Sequence, residues 1–286
     1  MPETLSPTQV IHPFYMATQE LLDFVEVGLT GLGQTLSMRE MHAALERWTA
    51  LLKQHDPKWT DPPPLDSHTD RLEAFAKEQK SLGFPYLYHS ACVRLWSLPE
   101  ALVDEIALQH LRTDSASLSS DLLRSLKGAL LPFVEMSEEE RRDQLLDLLA
   151  QQLQLRRHSG IGAAEAILGV LNLGGQVSED VRRVLFELAE VRNAIVHRNG
   201  RCDGRLAAAC PWLSMKSGDL ILVTHNRFGG YISGVQWYFC ELTRRWDGKL
   251  PADSRLSEGN IETLEGIQRR CREVIAAVAK GREGAV

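Results

Sequence analysis

Arg192, Asn193 and His197 are the side chains whose types and spacing point most directly to chemistry in this 286-residue chain. A guanidinium grips phosphate through a planar fork of donors, an imidazole is the side-chain type that exchanges protons near neutral pH, and a carboxamide orients either one. All three fall on a helix expected to begin near Ser178. At about 100° per residue, Val181, Val184, Leu185, Leu188, Val191 and Ile195 form one apolar arc, and Arg192 lies inside it. A guanidinium on a buried face cannot discharge itself. It must find a carboxylate, carbonyls or a bound anion, because desolvating it alone costs on the order of several kcal/mol. Pairing to a buried acid is one reading of Arg192 and anion binding is the other. His197 closes the same helix, and Asn199-Gly200 supplies a left-handed stop. It stands about 140° from Arg192, so the two do not share a face, whereas Asn193 and His197, four residues apart, do. A single histidine at a helix end is ordinarily a cap or a surface residue; the combination is what draws attention.

The surrounding charge supports a local rather than a global electrostatic role. The chain carries a net charge of -6, which gives no overall attraction for nucleic acid. Between Arg182 and Arg205, however, six arginines (182, 183, 192, 198, 201 and 205) face three acids (Glu187, Glu190 and Asp203). Such a run is commonly a solvated helix face, and it is also what phosphate contacts require. Five scattered cysteines (92, 202, 210, 240 and 271) with no CxxC pair argue against a disulfide framework or a zinc ribbon, and no metal or cofactor site is expected. Cys202 and Cys210 follow His197 closely, but at a spacing that fits no standard metal site. Gly160-Ile-Gly162 lacks both a preceding strand and a third glycine, and there is no P-loop, nucleophile elbow or HExxH.

The elements that must hold these residues read as helices. Composition is that of an ordinary globular chain, at 44% hydrophobic and 24% charged residues. Uncharged stretches such as Ala166–Ser178 and Phe228–Cys240, at 13 residues each, fall short of the roughly 20 that a membrane helix needs. The first residues lack the pattern of a secretion signal, so a cytoplasmic protein is expected. Serine–glutamate capping boxes at Ser37/Glu40, Ser97/Glu100 and Ser137/Glu140 each mark an expected helix start. Leu21, Leu22, Val25 and Leu29 before the first box, and Met41, Ala44, Leu45, Trp48, Leu51 and Leu52 after it, suggest an N-terminal helical hairpin. The proline-rich stretch Trp59–Asp70 marks a soft break, giving an N-terminal helical region over 1–66 and a larger domain over 67–286. Further helices are expected near 68–80, 86–96, 98–112, 119–135, 138–157, 163–171, 228–246 and 260–280, with the last six residues disordered. Trp212–Met215 and Asp219–Thr224, across the turn Ser217-Gly218, suggest a small two-stranded hairpin inserted between helices. The fold expected is all-α with that one insertion.

Arginine, asparagine, three residues and histidine, RNAIVH over 192–197, resembles the RX4-6H signature of the HEPN superfamily. Glu187-Leu-Ala-Glu-Val-Arg-Asn before it, Arg-Asn-Gly after it, then Cys210-Pro-Trp-Leu, Gly218-Asp219 and a following helix, are similar to a group of bacterial HEPN proteins. The resemblance covers about residues 95–250. It implies a helical bundle with additional N- and C-terminal helices, pairing as a homodimer that brings two motif helices together. It further implies metal-independent RNA cleavage in toxin, stress or anti-phage defence, with RNA as partner and an antitoxin or defence-system protein as a further one. His197 would then assist proton transfer, Arg192 would stabilise charge on the phosphate, and Asn193 would orient either; Arg198, Arg201 and Arg205 would contact the RNA backbone. Two alternatives stand beside it: a catalytically inactive HEPN-fold module that binds nucleotide or RNA or docks a partner, and a purely structural helical adaptor.

Overall fold

The computed structural model describes residues 6–113, 136–155 and 158–283. Among these the chain is all-α. Nine helices follow in order: α1 (Pro7–His55), α2 (Ser67–Ser81), α3 (Pro85–Thr113), α4 (Glu138–Gln152), α5 (Gly162–Val170), α6 (Glu179–Arg198), α7 (Gly204–Ala209), α8 (His225–Asp247) and α9 (Glu258–Glu283). The expected helix at 119–135 lies outside the described residues, and the expectation of a disordered end meets a helix that continues through Glu283.

α8 is the central rod. Phe228, Tyr231, Ile232, Val235, Tyr238, Phe239 and Leu242 are buried together with most of their neighbours, because α9, α1, α6 and α3 pack around it. A helix apolar on most sides is stable only when covered on most sides, and four neighbours provide that cover.

The N-terminal hairpin forms from different partners than expected. Ser37 does not start a helix: α1 runs unbroken for 49 residues, from the capping box Ser6/Gln9 with Pro7 behind it to His55. The return arm is α2, capped by Asp66, and the proline-rich segment is the turn between them. Arg39 reaches Asp70 and Glu73, His42 meets the Pro63 carbonyl at 2.7 Å, and Lys53 meets Asp61 at 2.6 Å. These contacts along α1 favour an intact helix over the cap at Ser37. The first half of α1 buries Val10, Ile11, Leu21 and Val25 in the same core as α3, α6 and α8. Where α1 crosses α3, a Cβ on Gly28 would lie 2.8 Å from Leu87 Cδ1, so any larger residue there would require the Leu87 side chain to shift.

The box at Ser97 is not a cap either. α3 continues through it and through Pro99; the Ser97 hydroxyl donates back to the Arg94 carbonyl at 2.7 Å, and Glu100 accepts from Trp96 Nε1 at 2.8 Å instead of from the Ser97 amide. Serine that bonds its own helix in this way cannot cap the next one. The box at Ser137 is real, with both reciprocal bonds present at the start of α4.

The β-hairpin does not form. Pro211–Leu213 is a 3-10 turn, and residues 219–221 pair instead with 200–202 through a single antiparallel bridge, Arg201 to Leu220. Ile221 N donates to Gly200 O at 2.9 Å and Cys202 N to Asp219 O at 2.8 Å. Burial of Ile221 and Val223 pulls this segment onto the end of α6, and Trp212 is drawn inward by Glu187, so the two arms expected to pair are separated.

Candidate functional site

α6 carries every residue of the RNAIVH motif. Its first turn holds Glu179 and Asp180 and its last holds His197 and Arg198, each sign placed against the helix dipole that favours it. Asn199, at φ 51°, and Gly200, at φ 73°, end it in the left-handed region. Gly200 is also required sterically, since a Cβ there would lie 2.5 Å from Cε1 of His89 on α3. The apolar arc is buried as expected at Val181, Val184, Leu185, Leu188 and Val191.

Arg192 is half-buried beside that arc. Its Nη1 donates to Asn193 Oδ1 at 3.2 Å, its Nη2 comes to 4.0 Å from Glu100 Oε2, and its Nε is buried with no acceptor among the described residues. Glu100 is itself 53% exposed, and one of its oxygens already accepts from Trp96. A buried donor without a partner costs about 1–3 kcal/mol, so Arg192 is held in place without being satisfied. His197 is exposed, and its imidazole makes no hydrogen bond to the described residues. Asn193 is thus joined to Arg192, while His197 stands apart, as the separation of about 140° around the helix requires.

The remaining arginines of the basic run have partners. Arg182 donates to Val177 O at 3.2 Å, and Arg183 stacks over Trp212 with its carbon 4.2 Å from the ring centre. Arg198 meets Asp203 at 3.4 Å, Arg201 donates to Gly218 O at 2.9 Å, and Arg205 forks onto both oxygens of Glu190 at 2.8 and 2.9 Å. Glu190 is only 3% exposed, so its pair with Arg205 is structural in consequence whatever else Arg205 does. Arg192 alone among the six has a buried donor left open.

Two acids that the sequence reading treated only as charge balance prove to be internal. Glu187 is fully buried, accepting from Tyr231 Oη at 2.7 Å and from Trp212 Nε1, with Arg227 Nε at 3.7 Å. Both Glu187 and Glu190 sit off the apolar arc of their own helix, so nothing in its periodicity marks them. Burial and the neighbouring Glu187 push the Tyr231 hydroxyl far above its ordinary range. His89 was also missed. It lines a cleft of about 670 Å³ with Tyr86, Asn199 and Arg201, bonds to Ile221 O at 2.7 Å, and is held below the usual imidazole range by burial.

Carboxylates gather around Asp104, one helical turn from Glu100 on α3. Burial, together with the like charges of Glu100, Asp143 and Asp147, pushes the Asp104 carboxyl up to about 6 even though the residue borders solvent. All five cysteines are free and buried, and burial pushes Cys240 up to about 12 and Cys271 up to about 11, so these thiols stay protonated at neutral pH. Among the described residues no cluster of His, Cys, Asp or Glu is placed to hold a metal ion, and no helix is long and apolar enough to cross a membrane. Compared with protein-family models, with curated proteins and with solved structures, the chain matches none.

Proposed function

We propose that this protein is a metal-independent endoribonuclease of the HEPN type, acting in the cytoplasm as a homodimer through α6. The observation that carries the reading is Arg192, a cation that among the described residues has no acceptor for its buried Nε and no carboxylate nearer than 4.0 Å. A phosphodiester supplies the acceptors the chain withholds, and a planar guanidinium suits the equatorial oxygens on which charge grows. In the reaction the 2′-oxygen bonds to phosphorus while the bond to the 5′-oxygen breaks, leaving a 2′,3′-cyclic phosphate and a 5′-hydroxyl. His197 receives the proton from the 2′-hydroxyl or delivers one to the departing 5′-oxygen. Because His197 and Arg192 lie on different sides of one helix, a second α6 brings the histidine of one protomer toward the arginine of the other. Asn193 fixes Arg192 through its hydrogen bond. Arg198 and Arg201 retain the exposure needed to touch the RNA backbone, while Arg205 does so only from its pair with Glu190. Cleavage of RNA inside a cell calls for restraint, which fits an antitoxin or defence-system partner.

Incubation with total RNA in EDTA tests this. Wild-type protein is expected to cut, and His197→Ala and Arg192→Ala to leave RNA intact with unchanged circular dichroism. Loss of cleavage only on metal removal would sink the metal-independent mechanism.

A second reading, an inactive HEPN-fold binding module, is favoured by the net charge of -6, which gives no overall attraction for a polyanion. On that reading the wild type binds short RNA or nucleotide in a fluorescence anisotropy titration yet cleaves nothing.

A further inference from the structure

The second half of α1 leaves an apolar face uncovered. Met38, Met41, Leu45, Trp48 and Leu52 recur in alternating steps of three and four, the spacing of a helix–helix seam, with Ala44 and Leu51 beside them. Met41 is 64% and Trp48 61% exposed, whereas surface helices ordinarily turn such residues inward. α2 and the proline-rich turn before it do not cover them, because they engage the neighbouring face, α2 at Arg39 and the turn at His42 and Lys53. The far rim carries Glu40 and Arg47, both exposed and without an ion-pair partner among the described residues.

We propose that this face binds the same face of a second copy, with the two α1 helices antiparallel about a two-fold axis near residue 43. In that register Met41 faces Leu45 of the partner subunit and Met38 faces Trp48 of the partner subunit, and each layer repeats by symmetry. The side bearing Ala44 meets its own counterpart, where the small residue lets the backbones approach. Glu40 of each copy then comes alongside Arg47 of the partner subunit, giving two complementary pairs. A parallel arrangement loses both, since it sets the Ala44 side of one helix against the α2 side of the other. The apolar face exposes roughly 500 Å² per copy, near the upper range for a monomer's largest patch, and with its polar rim approaches the roughly 800 Å² per partner of a standard interface.

This contact is separate from the pairing through α6 and does not rest on it. The core-packed part of α1 ends near Gly28, about 22 Å along the helix from the axis, so the two bodies lie at opposite ends of the α1 pair.

Full-length protein analysed by sedimentation velocity at micromolar concentration tests the idea. Leu45→Glu, at an exposed site, is expected to remove this contact and lower the mass of the assembly, weakening association by about 100-fold or more. Glu40→Arg is expected to weaken it several-fold, and the double swap Glu40→Arg with Arg47→Glu to restore it. Ala44→Cys is expected to form a disulfide-linked dimer on mild oxidation, against a low background because the native cysteines are buried. A monomeric wild type, an assembly unchanged by Leu45→Glu, or crosslinking by Met41→Cys but not by Ala44→Cys would each overturn the proposal.

Discussion

Arg192 and Glu100 approach to 4.0 Å across the contact between α3 and α6 and come no closer, because one Glu100 oxygen is already engaged by Trp96 and the carboxylate lies largely in solvent. The arginine is therefore tethered rather than neutralised. A half-exposed pair at that separation is screened and contributes little to stability, so the charge remains available to a ligand.

Arg192→Lys is expected to lower kcat/KM for RNA cleavage about 100-fold or more, since an ammonium cannot reproduce the planar fork. Stability is expected to hold within about 1 kcal/mol in urea titrations. A loss of several kcal/mol instead would place Arg192 among the residues that merely hold the fold.

Glu100→Gln keeps an oxygen for Trp96 and deletes the negative charge beside Arg192. Affinity for short RNA is expected to rise several-fold at low salt and to converge with wild type at high salt. Unchanged affinity at every ionic strength would mean that RNA does not reach Arg192.

Glu187→Ala strips the buried partner from Tyr231, Trp212 and Arg227 at once. The expected loss is about 3–5 kcal/mol by chemical denaturation, the range for breaking a buried charged network. Arg205→Ala is expected to cost less, about 1–3 kcal/mol, because Glu190 is stranded beneath a residue that is itself largely exposed. If Arg205→Ala leaves the midpoint unmoved, the Glu190 pair is not maintained in solution.

Asp104 supplies a pH dependence. Its carboxyl is raised from 3.8 to about 6, so the folded protein holds this proton more tightly than the unfolded chain does. The resulting penalty is absent below pH 4, grows as pH rises toward 6, and is fully present above it. Asp104→Asn is therefore expected to raise the melting temperature at pH 7.5 by roughly 1–3 °C, discounted for solvent screening, and to have no effect at pH 4. A gain of equal size at both pH values would rule out titration of this group as the cause.

Local signals in the chain were readable where they compete with nothing. Asn199-Gly200 ends α6 because its left-handed geometry is intrinsic to those two residues, and Ser137/Glu140 starts α4 because both halves of the box are free to bond. Identical boxes at Ser37 and Ser97 were overridden. Packing along α2 keeps α1 continuous, while back-bonding to Arg94 and the pull of Trp96 on Glu100 occupy the groups that a cap at Ser97 needs.

By itself the sequence determined an all-helical chain, the apolar arc of α6, the intrusion of Arg192 into it, and the angular separation of that arginine from His197. All of these follow from helical periodicity, which is a property of adjacent residues. Only tertiary structure decided which charges are internal and which arginine is left unsatisfied. Glu187 and Glu190 lie off the apolar arc of α6 and become buried because Trp212, Tyr231 and Arg205, 15 to 44 residues further along, fold over them. Those long-range partners absorb Glu187 and Glu190, other groups hold Arg182, Arg198 and Arg201, and the open donor on Arg192 is what remains.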